Sequence, residues 1–295
     1  MKSARTLEEI VAARISEATG QAFSIEHRHG AGGGCINEAE VLEGGGRKYF
    51  VKLNRAALAD MFAAEMAGLQ ALADTNTIRV PRPIVSGVAG QQAFLVLEHL
   101  DLGGRGSDAR LGENLAALHR NVRDRHGWWR DNTIGSTPQI NRQDSDWVAF
   151  WRAHRLGYQL QLAEEIGAPG ALLREGERLL DQLPAFFADY RPAASLLHGD
   201  LWGGNHGALP DGTPVIFDPA VYYGDRETDL AMTELFGGYS ADFYAAYRAA
   251  WPPDAGYSVR KTLYNLYHVL NHFNLFGAGY LGQAQQMVGR LLAEV

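Results

Sequence analysis

The stretch Leu-Leu-His-Gly-Asp-Leu-Trp-Gly-Gly-Asn, at residues 196–205, is the most informative part of this 295-residue chain. After a turn, the sequence continues into the apolar run Val-Ile-Phe and then Asp218. Asp200 and Asn205 therefore lie five positions apart, and a second aspartate follows about a dozen residues on. This spacing predicts a catalytic loop followed by a strand that ends in a metal-binding carboxylate.

The chemistry that this spacing favours is phosphoryl transfer. Protein kinases carry His-Arg-Asp in the loop and Asp-Phe-Gly after the strand. Here Gly199 replaces the arginine and Pro219 the phenylalanine, a form typical of kinases that act on small molecules. One carboxylate must orient the attacking hydroxyl and accept its proton, and other oxygen ligands hold magnesium on the phosphates. We predict that Asp200 is catalytic and that Asn205 and Asp218 bind Mg²⁺.

A glycine-rich loop at residues 30–34 lies between two predicted strands. Glycines let backbone N–H groups approach phosphates closely, so Gly32, Gly33 and Gly34 are predicted to bind ATP. Glycine-rich hairpins also serve as plain structural turns. The loop is not a Walker loop, because no Gly-Lys-Ser/Thr follows it.

Lys52 is the predicted phosphate clamp, because it lies on a strand downstream of the glycine loop. Glu65, on the next predicted helix, is the expected ion-pair partner, and Glu40 is the poorer candidate. The alternative for Lys52 is a solvated lysine on an edge strand. Glu98 follows the strand that leads into the expected hinge, where it either contacts the nucleotide or forms a salt bridge.

Three further positions have less specific interpretations. His198 is expected to support the catalytic loop, and Asp229 to brace it or to act as a plain acid near a helix N-terminus. Cys35, the single cysteine, is expected either to be buried or to link two chains after oxidation. Four tryptophans in the middle of the chain are expected either to line a sugar-binding site or, as is more common for this residue, to pack in the core: Trp128, Trp129, Trp147 and Trp151.

The fold class predicted is α+β, a bilobal protein-kinase-like fold. Thr6 and Glu9 have the spacing of a capping box, which predicts a short helix that Gly20 can end. Strands around residues 23–29, 35–42, 48–53 and 93–99, with a helix at 56–73, predict an antiparallel N-lobe in residues 1–100. Residues 101–295 are expected to form a mainly helical C-lobe with the catalytic loop. Its predicted helices span 107–120, 145–166, 170–190, 227–236, 241–251, 259–276 and 283–294, with a short hairpin around 211–212.

The composition excludes several classes of protein. A net charge of −7, without a cluster of Lys and Arg, argues against a nucleic-acid partner. The apolar runs are too short to cross a bilayer, and the first residues have no apolar signal core. One cysteine excludes an intramolecular disulfide, so we expect a cytoplasmic protein.

Taken together, the motifs resemble the fructosamine kinase and fructosamine-3-kinase-related family over nearly the whole chain. Trp202 within the catalytic stretch is the most specific of them. The other matching segments are at 32–36, 132–135, 139–141, 147, 217–220, 223–224, 229–231 and 236–238.

This resemblance implies an aminoglycoside-phosphotransferase-like fold and the use of ATP and magnesium. It implies phosphorylation of a sugar hydroxyl on a ketosamine, such as a ribulosamine or fructosamine adduct of an amine or protein lysine, which initiates deglycation. From the sign of their charge alone, Asp225 or Glu227 is expected to attract the cationic amine of a glycated lysine. A monomer or a Cys35-linked dimer is expected.

Two alternatives stay open from the sequence. One is another small-molecule kinase of this fold, acting on an aminoglycoside, choline or a hydroxy amino acid. The other is a non-catalytic nucleotide-binding regulator, which the presence of Lys52, Asp200, Asn205 and Asp218 disfavours.

Overall fold

The computed structural model describes residues 5–32 and 37–295. Its contacts divide the chain into two compact units, Met1–Gly106 with Gly207–Phe217, and Ser107–His206 with Asp218–Val295. The short segment of the first unit lies within the range that the sequence assigns to the C-lobe. Gly33, Gly34 and Cys35 lie outside the described residues.

The first unit begins with helix α1, Leu7–Thr19. Thr6 and Glu9 form the predicted capping box, since the Thr6 hydroxyl accepts from the Glu9 N–H and the Glu9 carboxylate accepts from the Thr6 N–H. Gly20 ends the helix with φ 68°, a left-handed conformation that favours glycine. Both ends of the helix are therefore as predicted.

A five-stranded antiparallel sheet forms the body of the first unit, in the order β1-β2-β3-β5-β4. A single turn of 3₁₀-helix leads from β3 into helix α2, Ala59–Asp74. The sheet places β3 at its centre. The strands are β1 His27–Gly30, β2 Glu38–Gly44, β3 Arg47–Arg55, β4 Pro83–Ala89 and β5 Gln92–Glu98.

One face of the sheet packs against α1. Val11 and Ile15 of the helix join Val51 and Val96 of the central strands in one buried cluster. The strand predicted at 23–29 begins only at residue 27, because the Phe23 N–H donates to the Ser16 hydroxyl of α1 and not to a neighbouring strand. Burial of these apolar side chains holds the sheet and helix together.

The second unit is mainly helical, as predicted. One predicted helix, 145–166, is interrupted by a π-helical turn at Arg152–Leu156. Among the described residues, no helix has both the length and the apolarity that crossing a bilayer requires. The helices are α3 Asp108–His119, α4 Trp147–Trp151, α5 Gly157–Glu165, α6 Gly170–Gln182, α7 Glu227–Thr233, α8 Ala241–Ala250, α9 Tyr257–Phe276 and α10 Leu281–Leu292.

Short strands position the loops of interest. A three-stranded sheet has the order β12-β9-β6, and two hairpins pair β7 with β8 and β10 with β11. The catalytic stretch follows β9, and Asp218 comes two residues after β11. The strands are β6 Val122–Arg123, β7 Asn132–Ile134, β8 Thr137–Gln139, β9 Ala194–Leu197, β10 His206–Ala208, β11 Pro214–Ile216 and β12 Tyr222–Gly224.

Candidate active site

The catalytic stretch leaves the buried strand β9 through a turn that requires glycine at position 199. Gly199 has φ 82°, and a Cβ atom there would lie 2.1 Å from the carbonyl oxygen of Ala220. The Ala220 N–H donates to the His198 carbonyl at 2.8 Å. The catalytic loop and the segment after Asp218 therefore touch directly, backbone against backbone.

Asp229, in the first turn of α7, anchors the start of this loop. Its carboxylate accepts the N–H groups of His198 at 2.7 Å and Gly199 at 2.8 Å. His119 lies 3.1 Å away on the other side. Burial raises the pKa of Asp229, but the hydrogen bond and charge of His119, together with His198 and the Gly199 N–H, outweigh burial and hold the pKa below its usual value. The predicted bracing role is confirmed.

His198 supports the loop from within. The side chain is fully buried, and its Nδ1 accepts the N–H of Asp200 at 3.2 Å. This contact fixes the backbone at the residue whose carboxylate is predicted to be catalytic. The expected supporting role of His198 is confirmed.

Asn205 joins the two predicted acidic positions. Its Nδ2 donates to the carbonyl of Asp200 at 2.8 Å, to the carboxylate of the same residue at 3.2 Å, and to the carbonyl of Asp218 at 3.5 Å. The three side chains predicted to act together are thus neighbours in the second unit. Because the amide N–H₂ of Asn205 donates to Asp200 and Asp218, its Oδ1 is the atom available to coordinate a cation.

The electrostatics at Asp200 differ from those of a surface aspartate. Burial and, next in size, the nearby carboxylate of Asp218 together raise the pKa of Asp200 to about 7, against the hydrogen bond from Asn205, which lowers it. Two carboxylates held close together repel each other unless a proton or a cation lies between them. The arrangement can therefore hold a proton or a divalent cation.

Asp218 has an unusual backbone conformation. Its φ of 56° lies in the left-handed region, which among described non-glycine residues is shared only by Asn76. Such a conformation costs on the order of 1–3 kcal/mol and persists only where the surroundings fix it. The contacts that hold the segment after Asp218 are therefore part of the site.

In the first unit, Lys52 and Glu65 form the expected ion pair. The Lys52 Nζ lies 2.7 Å from Oε1 of Glu65, and the two side chains are only 8% and 11% exposed. Lys52 lies on the central strand β3, opposite Ala39 and Leu95, so it is not a lysine on an edge strand. Burial makes this pair sensitive to the loss of either charge.

The other acidic candidates of the first unit have different partners. Glu40 pairs with Arg28 at 2.8 Å. Glu98 lies 2.6 Å from Arg79 and also accepts the backbone N–H of Arg82 at 3.1 Å. The salt bridge suggested for Glu98 is therefore present, and its contact with a nucleotide stays a prediction.

The expectation that Asp225 or Glu227 attracts a cationic amine is wrong. Both carboxylates are fully buried. Asp225 accepts the hydroxyl of Tyr264 at 2.5 Å, and Glu227 pairs with Arg260 at 2.9 Å. A buried carboxylate needs such partners, so both groups are engaged in contacts within the protein.

Three of the four central tryptophans pack in the core. Trp128, Trp147 and Trp151 are buried, and Trp147 donates its ring N–H to Tyr264 at 3.2 Å. Trp129 is 68% exposed. Core packing, the more common use of tryptophan, accounts for the buried three.

The structure adds residues that the chemical reasoning from sequence did not place at the site. Asn132 and Gln139, on the β7–β8 hairpin, donate side-chain hydrogen bonds to the carbonyls of Val221 and Ala220, three and two residues after Asp218. In the sequence, the only sign of these residues is the Asn-Thr-Ile-Gly pattern at 132–135 and the Gln-Ile-Asn pattern at 139–141. Spacing alone could not reveal an interaction over more than 80 residues.

Comparison with known sequences shows extensive similarity. The profile of the family described as fructosamine kinase matches residues 7–294. The "Probable ketoamine kinase" of Synechocystis is 50% identical over 291 residues, covering 96% of each chain. The chloroplastic protein-ribulosamine 3-kinase of Arabidopsis thaliana is 42% identical, covering 91% of this chain and 83% of that protein.

Comparison with solved structures agrees. A candidate fructosamine-3-kinase from Haemophilus somnus superimposes with a TM-score of 0.87 and 29% identity over 96% of each chain. A thermostable mutant of the aminoglycoside phosphotransferase APH(4)-Ia, in a ternary complex with ADP and hygromycin B, matches with a TM-score of 0.65 and 15% identity over 98% of each chain. At that identity the second likeness shows the protein-kinase-like fold alone.

Proposed function

Because this chain belongs to the fructosamine kinase family, we propose that it transfers the terminal phosphate of ATP to a sugar hydroxyl of a ketosamine. The observation that most directly supports this proposal is the contact of Asn205 with the carboxylate of Asp200 and the carbonyl of Asp218. It brings together a carboxylate for the acceptor hydroxyl and oxygen ligands for a metal, the two requirements of phosphoryl transfer.

Asp200 orients the acceptor hydroxyl and accepts its proton as the phosphate is transferred. The raised pKa, about 7, supports this role, because a general base works best when its pKa lies near the working pH. The backbone of Asp200 is held by His198 and Asn205, which limits the movement of its carboxylate. The proton of the acceptor hydroxyl therefore moves to a carboxylate that the protein already holds in position.

The nucleotide phosphates are held by Lys52, with Glu65 keeping the ammonium in place. The burial of this pair and its 2.7 Å contact support the role. In this proposal Gly32, Gly33 and Gly34 provide backbone N–H groups to the phosphates, and the strand ending at Glu98 leads to the adenine site. ATP is the phosphate donor.

The residues present fit a magnesium ion. Asn205 has its amide oxygen left for coordination, and Asp218 supplies an exposed carboxylate whose charge raises the pKa of Asp200. Oxygen ligands of this kind are those that Mg²⁺ prefers. When bound, the ion offsets the negative charge of the phosphates, and Asn205 and Asp218 hold it.

The biological consequence of the proposal is the start of deglycation, since the acceptor is a ketosamine on a small amine or on a protein lysine. The same proposal places the protein in the cytoplasm, as a monomer or a Cys35-linked dimer. A non-reducing gel after mild oxidation tests the dimer. A disulfide-linked dimer that disappears in Cys35→Ser supports it, and monomer alone contradicts it.

The activity is tested by ADP release from magnesium-ATP with three kinds of acceptor: ribulose-lysine, fructose-lysine and a panel of aminoglycosides. Asp200→Ala is the blank. Turnover on a ketosamine that vanishes in the variant is the expected result. ADP release only with aminoglycosides would contradict the ketosamine as the acceptor. No ADP release with any acceptor would contradict the proposed activity.

A further inference from the structure

The hairpin of β7 and β8 holds the backbone that follows Asp218. Asn132 Nδ2 donates to the carbonyl of Val221 at 2.8 Å, and Gln139 Nε2 donates to the carbonyl of Ala220 at 3.1 Å. Asn132 and Gln139 are cross-strand partners in the hairpin, so their side chains lie side by side. Two consecutive peptide groups are thus capped by two neighbouring amides.

The orientation of the Gln139 amide is fixed from both ends. Its Oε1 accepts the hydroxyl of Tyr267 at 2.8 Å, so its N–H₂ faces Ala220 and Asn132. Gln139 is only 1% exposed. In a buried site every donor and acceptor needs a partner, which makes this arrangement specific rather than incidental.

The Asn132 amide is fixed in the same way. Its Oδ1 accepts hydrogen bonds from Gln139 and from Asn141, each at 2.8 Å. Asn141 is oriented in turn by the buried Arg155 of the π-helical turn, at 2.7 Å. The network therefore connects the helical body of the second unit to the carbonyl of Val221.

The segment that these amides hold is the one that needs support. Asp218 adopts a left-handed φ of 56°, and two residues later the Ala220 N–H donates to the His198 carbonyl. The Ala220 carbonyl, which Gln139 caps, lies against Gly199 of the catalytic loop. A shift of Ala220 would thus move the carboxylate of Asp218 and disturb the loop that carries Asp200.

We propose that Gln139, together with Asn132, is a positioning residue for Asp218. It acts through the backbone of Ala220 and Val221 and does not touch substrate. The inference rests on the proposed function insofar as Asp218 holds the magnesium of a nucleotide complex. It assigns a task to the Asn132 and Gln139 pattern that the chemistry of the catalytic loop leaves without one.

The test uses Gln139→Met, which keeps the size of the side chain and removes both the donor and the acceptor. The first readout is thermal stabilisation by ATP as a function of magnesium concentration, which requires no acceptor. The second is kcat and KM on ribulose-lysine. Ile134→Val, a packing change in the same hairpin, is the matched control because its side chain makes none of these hydrogen bonds.

The expected result is a half-saturating magnesium concentration raised about 10- to 100-fold, as for other groups that orient metal ligands. We expect kcat to fall, while KM for the ketosamine stays within about twofold, since Gln139 acts through the backbone after Asp218 and does not touch substrate. Ile134→Val should lower the melting temperature slightly and leave the magnesium dependence unchanged.

Should Gln139→Met fail to fold, Gln139→Glu is measured instead, because it keeps an acceptor for Tyr267 and removes the donor to Ala220. A variant with a lower melting temperature and a wild-type magnesium dependence would overturn the proposal. If the wild-type protein binds magnesium-ATP but turns over no ketosamine, the proposed function fails, and the thermal readout still decides the role of Gln139.

Discussion

The side-chain amide of Asn205 donates to both the carbonyl and the carboxylate of Asp200, at 2.8 and 3.2 Å. The same N–H₂ group reaches the carbonyl of Asp218 at 3.5 Å. A predicted metal ligand therefore also fixes the predicted base. The two functions cannot be altered independently at position 205.

Asn205→Ala should therefore impair both functions at once. We expect kcat on a ketosamine to fall about 10²-fold or more, the range of a mispositioned general base. The half-saturating magnesium concentration should rise as well. Steady-state kinetics over a magnesium titration measure both. A variant that loses magnesium affinity but recovers wild-type kcat at saturating magnesium would contradict the coupling.

Glu65→Gln should weaken the binding of ATP and leave KM for the ketosamine acceptor unchanged. It removes a charge-assisted hydrogen bond worth about 1.5–3 kcal/mol, so KM for ATP should rise about tenfold or more. The matched control is Glu43→Gln, which breaks the pair with Lys48, a lysine whose side chain is 53% exposed. An equal effect of the two variants on KM for ATP would contradict the role of the buried pair.

Asp229→Asn should destabilise the protein, because an amide cannot accept all the hydrogen bonds that the carboxylate receives from His198, Gly199 and His119. The free energy of unfolding should fall by about 3 kcal/mol. Denaturant unfolding measures it. Asp181→Asn, at an exposed pair with Arg152, should cost under about 1 kcal/mol. Equal costs would contradict an anchoring role.

Stability should depend on pH through His126. Burial lowers the pKa of His126 from 6.5 to about 4. Between these values the unfolded chain binds more protons than the folded one, so the free energy of unfolding rises with pH, by about 3 kcal/mol in all for this group. His126→Phe should reduce the slope. Unfolding curves at several values of pH measure it, and parallel slopes would contradict the prediction.

The sequence predicted local features well, because their causes are local. The capping box of Thr6 and Glu9 and the partner of Lys52 follow from short spacings and from the order of strand and helix. The hairpin around residues 211–212 and most helices of the second unit follow from turn residues and periodicity. These features need no knowledge of distant contacts.

The rest depends on contacts that no spacing encodes. The strands of the β12-β9-β6 sheet are two to four residues long, too short for a periodic pattern. Asp225 and Glu227 resemble surface acids in the sequence. Their burial depends on partners more than 30 residues away, such as Tyr264 and Arg260. The π-helical turn at Arg152–Leu156 likewise has no local signal, and its Arg155 bonds Asn141, fourteen residues away.

The most direct test of the account is detection of the phosphorylated product itself. Wild-type protein and Asp200→Asn are incubated with magnesium-ATP and ribulose-lysine, and the phosphate ester is followed by ³¹P NMR. The account predicts a phosphorylated ketosamine from the wild type and a rate about 10²–10⁴-fold lower in the variant. Comparable product from both proteins would contradict Asp200 as the base, and no ester from the wild type would contradict the proposed kinase activity.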